Sequence, residues 1–150
     1  MQSILKNIAT LGFIGYLPVA PGTWGTLTAL LLVVFWQPTD AAHLVVTLVV
    51  SVIGIIAADS AERTIGQKDS GHIIIDEVAG YLVAGFYLPN TIFSCIAAFF
   101  LFRLFDILKP QPIRTVEKLL KGGFGVMADD IVAGLMTNAV IRVWMMIFSQ

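Results

Sequence analysis

Residues 73–80 read IIIDEVAG, and residues 127–134 repeat the pattern as MADDIVAG. In each stretch two adjacent acids are followed by two apolar residues and, four positions after the first acid, by a small residue. Carboxylates at the edge of apolar helices are costly to place unless a cation compensates them. Small residues let two helices pack closely in a membrane. The repeat therefore predicts two packed helices that bring the two acid pairs together.

The composition is that of a membrane protein. The chain has 150 residues, of which 57% are hydrophobic and 13% charged, whereas a typical soluble domain is about 25% charged. The mean hydropathy of +0.87 favours a bilayer, and the length fits one domain spanning residues 1–150. The net charge of −1 argues against a nucleic-acid partner, which requires a basic surface. We therefore predict a single-domain membrane protein.

The charged residues are concentrated in two blocks, residues 59–77 and 103–130, and outside them lie Lys6, Asp40 and Arg142. Short turns predicted at residues 37–40 and 88–90 place both blocks at the same end of a helical bundle. Nearly all of the basic residues then share that end, with Arg142 as the exception. Because basic loops face the cytoplasm, the sequence predicts that both acid pairs lie at the cytoplasmic face.

The apolar runs predict an all-α fold, a compact helical membrane bundle of about five to six helices with charged loops on one face. Several runs are shorter than the roughly 20 residues that cross a bilayer, unless each helix includes its charged end. Whether the first apolar segment spans the membrane or re-enters it stays open. The predicted helices cover approximately residues 23–36, 41–63, 73–87, 91–108 and 128–148, with a surface-lying segment at 115–121 and a flexible glycine-rich connection at 122–125.

The two acid pairs are candidate metal ligands. Four carboxylates in one place cannot all stay ionised without cations, and oxygen-rich clusters suit Mg²⁺. The alternative is that these acids only complement the positive ends of their helices. The ligands predicted from the two pairs are Asp76, Glu77, Asp129 and Asp130, and Asp69 in the preceding loop is a further candidate.

Two other motifs suit a phosphate group. Arg103 and Asp106 are neighbours at i, i+3, so Arg103 either orients Asp106 or binds a phosphate through paired hydrogen bonds. Lys109, at the predicted helix end, adds a mobile positive charge. The alternative for this segment is a helix-end ion pair and an interfacial lysine whose stem lies along apolar surface.

The second motif is PVAPGTWGT at residues 18–26, which precedes a helix. The free N–H groups of a helix start bind anions. Thr23 and Thr26 are the candidate phosphate-binding hydroxyls of this motif, and a plain helix breaker with an N-cap is the alternative.

Together these motifs resemble the phosphatidylglycerophosphatase A family. The resemblance covers most of the chain, in the order of the family. The segments that carry it are PGTWGT at 21–26, IDEVAG at 75–80, FRLFDILKP at 102–110 and GGFGVMADDIVAG at 122–134. The family also contains soluble relatives of different or unclear substrate, and the high hydrophobicity favours its membrane branch.

The resemblance implies a Mg²⁺-dependent phosphatase that converts phosphatidylglycerophosphate to phosphatidylglycerol and phosphate. It also implies a multi-pass protein of the bacterial inner (cytoplasmic) membrane, acting on the cytoplasmic face on a lipid phosphate substrate. Asp106 joins the two acid pairs as a catalytic candidate. A carboxylate either activates water or attacks to form an aspartyl-phosphate, and the residues do not choose between these routes or fix the number of metal ions.

Three alternatives stay open at this point. A CDP-alcohol phosphotransferase-like enzyme also uses aspartate clusters and Mg²⁺, but its pattern Asp-x-x-Asp-Gly-x-x-Ala-Arg is absent from the sequence. A small non-enzymatic transporter or scaffold subunit would bind an ion at the acid pairs without chemistry. A homodimer is possible through the small-residue faces at residues 79–80 or 133–134, unless those faces are used within the chain.

Overall fold

The computed structural model describes residues 2–68 and 70–148, and within them it contains seven α-helices and no strand. This confirms the all-α prediction, with a helix count slightly above five to six. The additional helix lies at the N-terminus. The helices are α1 (Gln2–Ala9), α2 (Pro21–Trp36), α3 (Asp40–Ile65), α4 (Ile75–Gly85), α5 (Ile92–Leu108), α6 (Ile113–Leu119) and α7 (Gly122–Phe148).

Local sequence explains where the main helices begin and end. Pro21 opens α2 because its fixed φ suits the first helical position. Thr39 and Thr91 cap α3 and α5. The Thr39 hydroxyl accepts a hydrogen bond from the Ala42 N–H at 3.3 Å, and the Thr91 hydroxyl accepts one from the Ser94 N–H at 3.2 Å. Gly66 closes α3 with a φ of 75°, a conformation that glycine adopts without steric cost. The chain thus carries its own start and stop signals for these helices.

Helices α4 and α7 cross at two glycines, one from each repeat. A Cβ on Gly134 would collide with the Gly80 carbonyl, and a Cβ on Gly80 would lie 2.7 Å from the Asp130 carbonyl oxygen. Phe102 of α5 is fully buried against the same glycine. The close approach predicted from the repeat is therefore present. Because this contact uses both faces within the chain, a homodimer would need another surface.

The two ends of the bundle are arranged as the charge pattern predicts. At one end the Asn90 amide donates to the Pro38 carbonyl at 3.0 Å, which joins the two short turns. At the other end the Ile74 N–H donates to the Ala9 carbonyl at 2.9 Å, which fixes the N-terminal segment beside the loop before α4. The acid pairs lie at this second end.

The surface is apolar along the sides of the bundle. Helices α3 and α7 are long and apolar enough to cross a membrane by length and composition, and α2 is a shorter apolar helix. Large hydrophobic side chains face outward, among them Phe35 at 82% exposure and Trp144 at 60%. Helix α4, by contrast, has only 11 residues, or about 16 Å, roughly half of a bilayer core.

The predicted flexible connection at residues 122–125 is wrong. Residues 122–125 form the first turn of α7, not a flexible connection. A Cβ on Gly123 would collide with the Ile55 carbonyl and lie 2.7 Å from the Asp59 nitrogen. The glycines therefore let α7 pack on α3, and this packing outweighs the low helix propensity of glycine. Helix α4 also ends two residues before the predicted residue 87.

Candidate active site

Three carboxylates from two helices form the centre of the site. Asp76 and Glu77 lie in the first turn of α4, and Asp130 lies in the third turn of α7. One oxygen from each of them lies within 4.8 Å of the others. Asp76 is 9% exposed and Asp130 is 4% exposed. The two repeats thus meet in space, as the small residues at their helix contact predict.

Asp129 is directed elsewhere although it precedes Asp130. Successive residues of an α-helix are about 100° apart, so the side chains of Asp129 and Asp130 leave α7 in different directions. Asp129 Oδ2 accepts a hydrogen bond from Lys109 Nζ at 2.7 Å, and its Oδ1 accepts one from the Asp130 N–H at 3.1 Å. The three-residue cluster therefore contains Asp130 and not Asp129, and the predicted metal role of Asp129 stays a prediction.

Lys109 links the second acid pair to the α6 segment. Its φ of 44° turns the chain sharply at the end of α5, and its Nζ also donates to Glu117 at 2.6 Å. Burial lowers the pKa of this ammonium, but the hydrogen bonds to Asp129 and Glu117 outweigh the burial and raise its pKa above the ordinary value. Lys109 therefore stays charged at neutral pH. Glu117 was not predicted from the sequence, since no spacing or motif relates it to Lys109.

Arg103 joins α5 to the acid cluster. Its Nη1 lies 2.5 Å from Asp106 Oδ2 and 3.8 Å from Glu77 Oε1. Asp106 in turn is close enough to Asp130 to interact with it electrostatically. Two carboxylates thus contact the guanidinium, and Asp76 and Asp130 lie beside Glu77, so this part of the site carries an excess of negative charge.

The unpartnered atoms of the cluster fit a bound cation. In the described part of the chain, Asp76 Oδ1, Glu77 Oε2 and Asp130 Oδ2 are buried without a hydrogen-bond partner. Buried oxygens of this kind are unfavourable unless a ligand binds them. Carboxylate oxygens are the ligands that Mg²⁺ prefers, so these three residues are suited to holding this ion together. Asp69, the further candidate, lies outside the described residues.

The start of α2 lies against this cluster. A Cβ on Gly22 would collide with the Glu77 carboxylate and lie 3.1 Å from Arg103 Nη1. Thr23 is half-buried at the same turn, whereas Thr26 is fully buried and its hydroxyl donates to the Gly22 carbonyl at 2.9 Å. The PGTWGT motif therefore contributes a glycine that makes room for the acid cluster. The phosphate-binding roles of the two threonines stay predictions.

One donor of the site remains available for an anion. Arg103 Nε is buried and has no hydrogen-bond partner among the described residues. A guanidinium N–H beside a cation site is suited to an oxygen of a phosphoryl group. The arrangement can therefore hold a cation and an anionic oxygen side by side, which is the requirement of metal-assisted phosphoryl transfer.

Comparison with known proteins identifies similar chains. The profile of the family "Phosphatidylglycerophosphatase A" matches residues 7–145. A phosphatidylglycerophosphatase A of Haemophilus influenzae is 36% identical over 138 residues, covering 88% of this chain and 85% of that protein. A phosphatidylglycerophosphatase A of Escherichia coli is 35% identical over 133 residues, covering 85% and 75% respectively.

A third similar protein bears a different substrate in its name. A Bacteroides thetaiotaomicron protein named "Putative phosphatidylinositol-3-phosphatase" is 38% identical over 140 residues, covering 86% of both chains. No solved structure matches the chain.

Proposed function

The chain belongs to the phosphatidylglycerophosphatase A family, and on this premise we propose that it is a Mg²⁺-dependent phosphatase of phosphatidylglycerophosphate. It would release phosphatidylglycerol and inorganic phosphate. The observation that carries the proposal is the set of three buried carboxylate oxygens without partners, next to an Arg103 Nε that also lacks one. A cation and a phosphate group together would satisfy all four atoms.

In the proposed mechanism Asp76, Glu77 and Asp130 hold the metal. When bound, Mg²⁺ supplies positive charge that polarises the phosphoryl oxygens and acidifies a water molecule. Arg103 donates from Nε to a phosphoryl oxygen while its Nη1 keeps Asp106 in place. Lys109 holds Asp129 and adds positive charge beside the site. These groups would stabilise the charge that develops as the phosphorus–oxygen ester bond breaks.

The nucleophile is either water or a carboxylate of this cluster. In the first route a carboxylate accepts a proton from water as the water oxygen attacks phosphorus, and the lipid alcohol leaves. In the second route an aspartate carboxylate attacks phosphorus and displaces the lipid alcohol, which leaves with a proton, and water then hydrolyses the aspartyl-phosphate to the free carboxylate and phosphate. Acid quenching of a labelled reaction distinguishes them, because the second route leaves a protein-bound phosphate that hydroxylamine removes.

We also propose that the protein is a multi-pass protein of the bacterial cytoplasmic membrane with its site on the cytoplasmic face. The apolar helices α3 and α7 and the outward hydrophobic side chains support membrane insertion. Several basic residues occur in the segments at the end of the bundle that contains the acid cluster, namely Lys68, Arg114, Lys118 and Lys121. The positive-inside rule assigns this end to the cytoplasm.

The direct test is phosphate release by the purified protein from phosphatidylglycerophosphate, with Mg²⁺ and with excess chelator. We expect turnover with Mg²⁺ and none in chelator. Phosphatidylinositol-3-phosphate belongs in the same assay because of the Bacteroides relative. Preference for that lipid would change the substrate of the proposal. Full turnover in chelator would remove the metal from it.

A further inference from the structure

The structure contains an apolar groove between α5 and α7. The groove has a volume of about 620 Å³, which lies within the range of small-molecule pockets. Ala97 contributes a small side chain to it, whereas larger side chains such as Phe93 and Phe100 of α5 and Trp144 of α7 line its sides. Small residues between large ones leave room for a narrow apolar ligand.

We propose that this groove holds one acyl chain of the lipid substrate, an inference that rests on the proposed function. The first reason is continuity with the site. Leu101 and Leu104 line the groove, and between them in the sequence stand Phe102 and Arg103. Phe102 packs on Gly80, whose Cβ position adjoins the Asp130 carbonyl, and Arg103 binds the acid cluster. One end of the groove is therefore level with the phosphate site.

The second reason is the length of the groove. It follows α5 from Leu104 to Phe93, which corresponds to about 16 Å along the helix. One leaflet of a bilayer core is about 15 Å thick, which is the depth an acyl chain reaches. A lipid whose phosphate lies at Arg103 can thus lay an acyl chain along this wall of α5, and α7 encloses the far part of the chain with residues from Val140 to Met145.

The third reason is chemical. The exposed surface inside the groove is almost entirely apolar, so the groove offers little to a polar headgroup. A second cavity of about 160 Å³ adjoins Asp129, is lined by charged residues such as Lys68, Lys121 and Glu117, and is too polar for an acyl chain. The two cavities divide the surroundings of the site into an apolar side and a charged side. The acyl chain belongs on the apolar side.

The test compares substrates that differ only in acyl length, dioleoyl and dihexanoyl phosphatidylglycerophosphate. Ala97→Phe fills the groove. We expect it to lower kcat/KM for the dioleoyl substrate about tenfold and to leave the dihexanoyl substrate within about twofold of wild type. Val140→Phe obstructs the groove from the α7 side and should act in the same way. Val52→Phe, on the outward face of α3, is the matched control and should change neither substrate.

An independent binding measurement separates this inference from the proposed function. Phosphatidylglycerol with a photoreactive acyl chain, placed in nanodiscs with the wild-type protein, should label the peptides containing Ala97 and Trp144 more than the peptide containing Val52. Labelling of these peptides without any phosphate release would contradict the proposed function but would support the groove as an acyl-chain site. The groove assignment would be overturned if the wild type releases phosphate and Ala97→Phe lowers kcat/KM equally for both substrates, or for neither. A dimer that Ala97→Phe dissociates, without a change in chain-length preference, would also overturn it.

Discussion

The polar groups at the two ends of α4 differ in whether the chain supplies them with hydrogen-bond partners. The four C-terminal carbonyls of the helix lack partners within it. All four accept a hydrogen bond from elsewhere in the chain: Leu82 from His43 at 2.9 Å, Val83 from the Phe86 N–H at 3.2 Å, Ala84 from Asn138 at 2.9 Å and Gly85 from the Leu88 N–H at 3.1 Å. At the other end, Asp76 and Glu77 keep buried oxygens without partners.

The difference separates structural polar groups from binding groups. At the C-terminal end, Arg142 donates to the Phe86 carbonyl at 3.0 Å and to Asn138 Oδ1 at 2.7 Å, so this cluster is satisfied by the chain itself. A polar group that the chain satisfies stabilises the fold. A buried carboxylate that the chain leaves unsatisfied costs stability and is retained for a ligand. Substitutions at the two ends should therefore have opposite consequences for activity and stability.

The largest expected effect is on catalysis at the acid end. Asp130→Asn keeps the shape of the side chain and removes one charge from the cluster. We expect kcat to fall about 10³-fold, or about 4 kcal/mol of transition-state stabilisation, because the variant loses one of the proposed metal ligands. The measurement is phosphate release from phosphatidylglycerophosphate.

The same variant should unfold at a temperature equal to or above that of the metal-free wild type. Removing one of several buried like charges relieves their repulsion. An Asp130→Asn protein that turns over at the wild-type rate would show that this carboxylate has no part in the reaction.

The second effect is stabilisation by the metal. At a Mg²⁺ concentration 100 times its dissociation constant, binding to the folded state adds about 2.7 kcal/mol to the free energy of unfolding. We expect Mg²⁺ to raise the Tm of the wild type and of Arg142→Ala by similar amounts, and to leave that of Asp130→Asn unchanged. Thermal unfolding in detergent with titrated MgCl₂ measures the shift. A Tm that ignores Mg²⁺ in all three proteins would contradict a metal site at this end of α4.

The sequence predicted the helices and the meeting of the two repeats well, because these depend on local signals. Helices begin or end at Pro21, Thr39 and Gly66, and these residues act through their own backbone preferences or capping hydroxyls. The glycines of the two repeats also carried usable information, since a helix contact at Gly80 and Gly134 requires small residues. Fold class and the convergence of the acids follow from such patterns.

What the sequence did not predict depends on orientation and on tertiary contacts. Adjacent acids in a repeat look equivalent, yet Asp130 faces α4 and Asp129 faces Lys109. The choice follows from the rotation of α7, which the packing on α3 and α4 fixes. The helical state of residues 122–125 has the same origin, because the contact of Gly123 with α3 is invisible in the local sequence.

The third effect concerns the C-terminal end of α4, where the polar groups have hydrogen-bond partners within the chain. Arg142→Ala removes the donor to the Phe86 carbonyl and the partner of Asn138 Oδ1. We expect the free energy of unfolding to fall by about 2 kcal/mol, since two hydrogen bonds from a charged group are lost. Asn138 Oδ1 loses this donor, whereas the Phe86 carbonyl still accepts from the Asn138 amide at 2.7 Å. The kcat of the folded protein should stay near that of the wild type. Chemical denaturation with parallel activity measurements tests both statements. A loss of kcat with unchanged stability would place Arg142 in the catalytic machinery and abolish the contrast between the ends.

The smallest effect sharpens the contrast at a single carbonyl. A carbonyl oxygen only accepts, so His43 must donate from Nε2 to Leu82. His43→Leu leaves this carbonyl unpaired and should cost about 1 kcal/mol, whereas His43→Gln, whose amide still donates, should cost clearly less. The difference in Tm between the two variants measures the hydrogen bond apart from the loss of the ring contact with Phe86, which both share. Equal Tm values would mean that water or a backbone shift satisfies the carbonyl, and that the C-terminal end of α4 does not depend on side chains from α3.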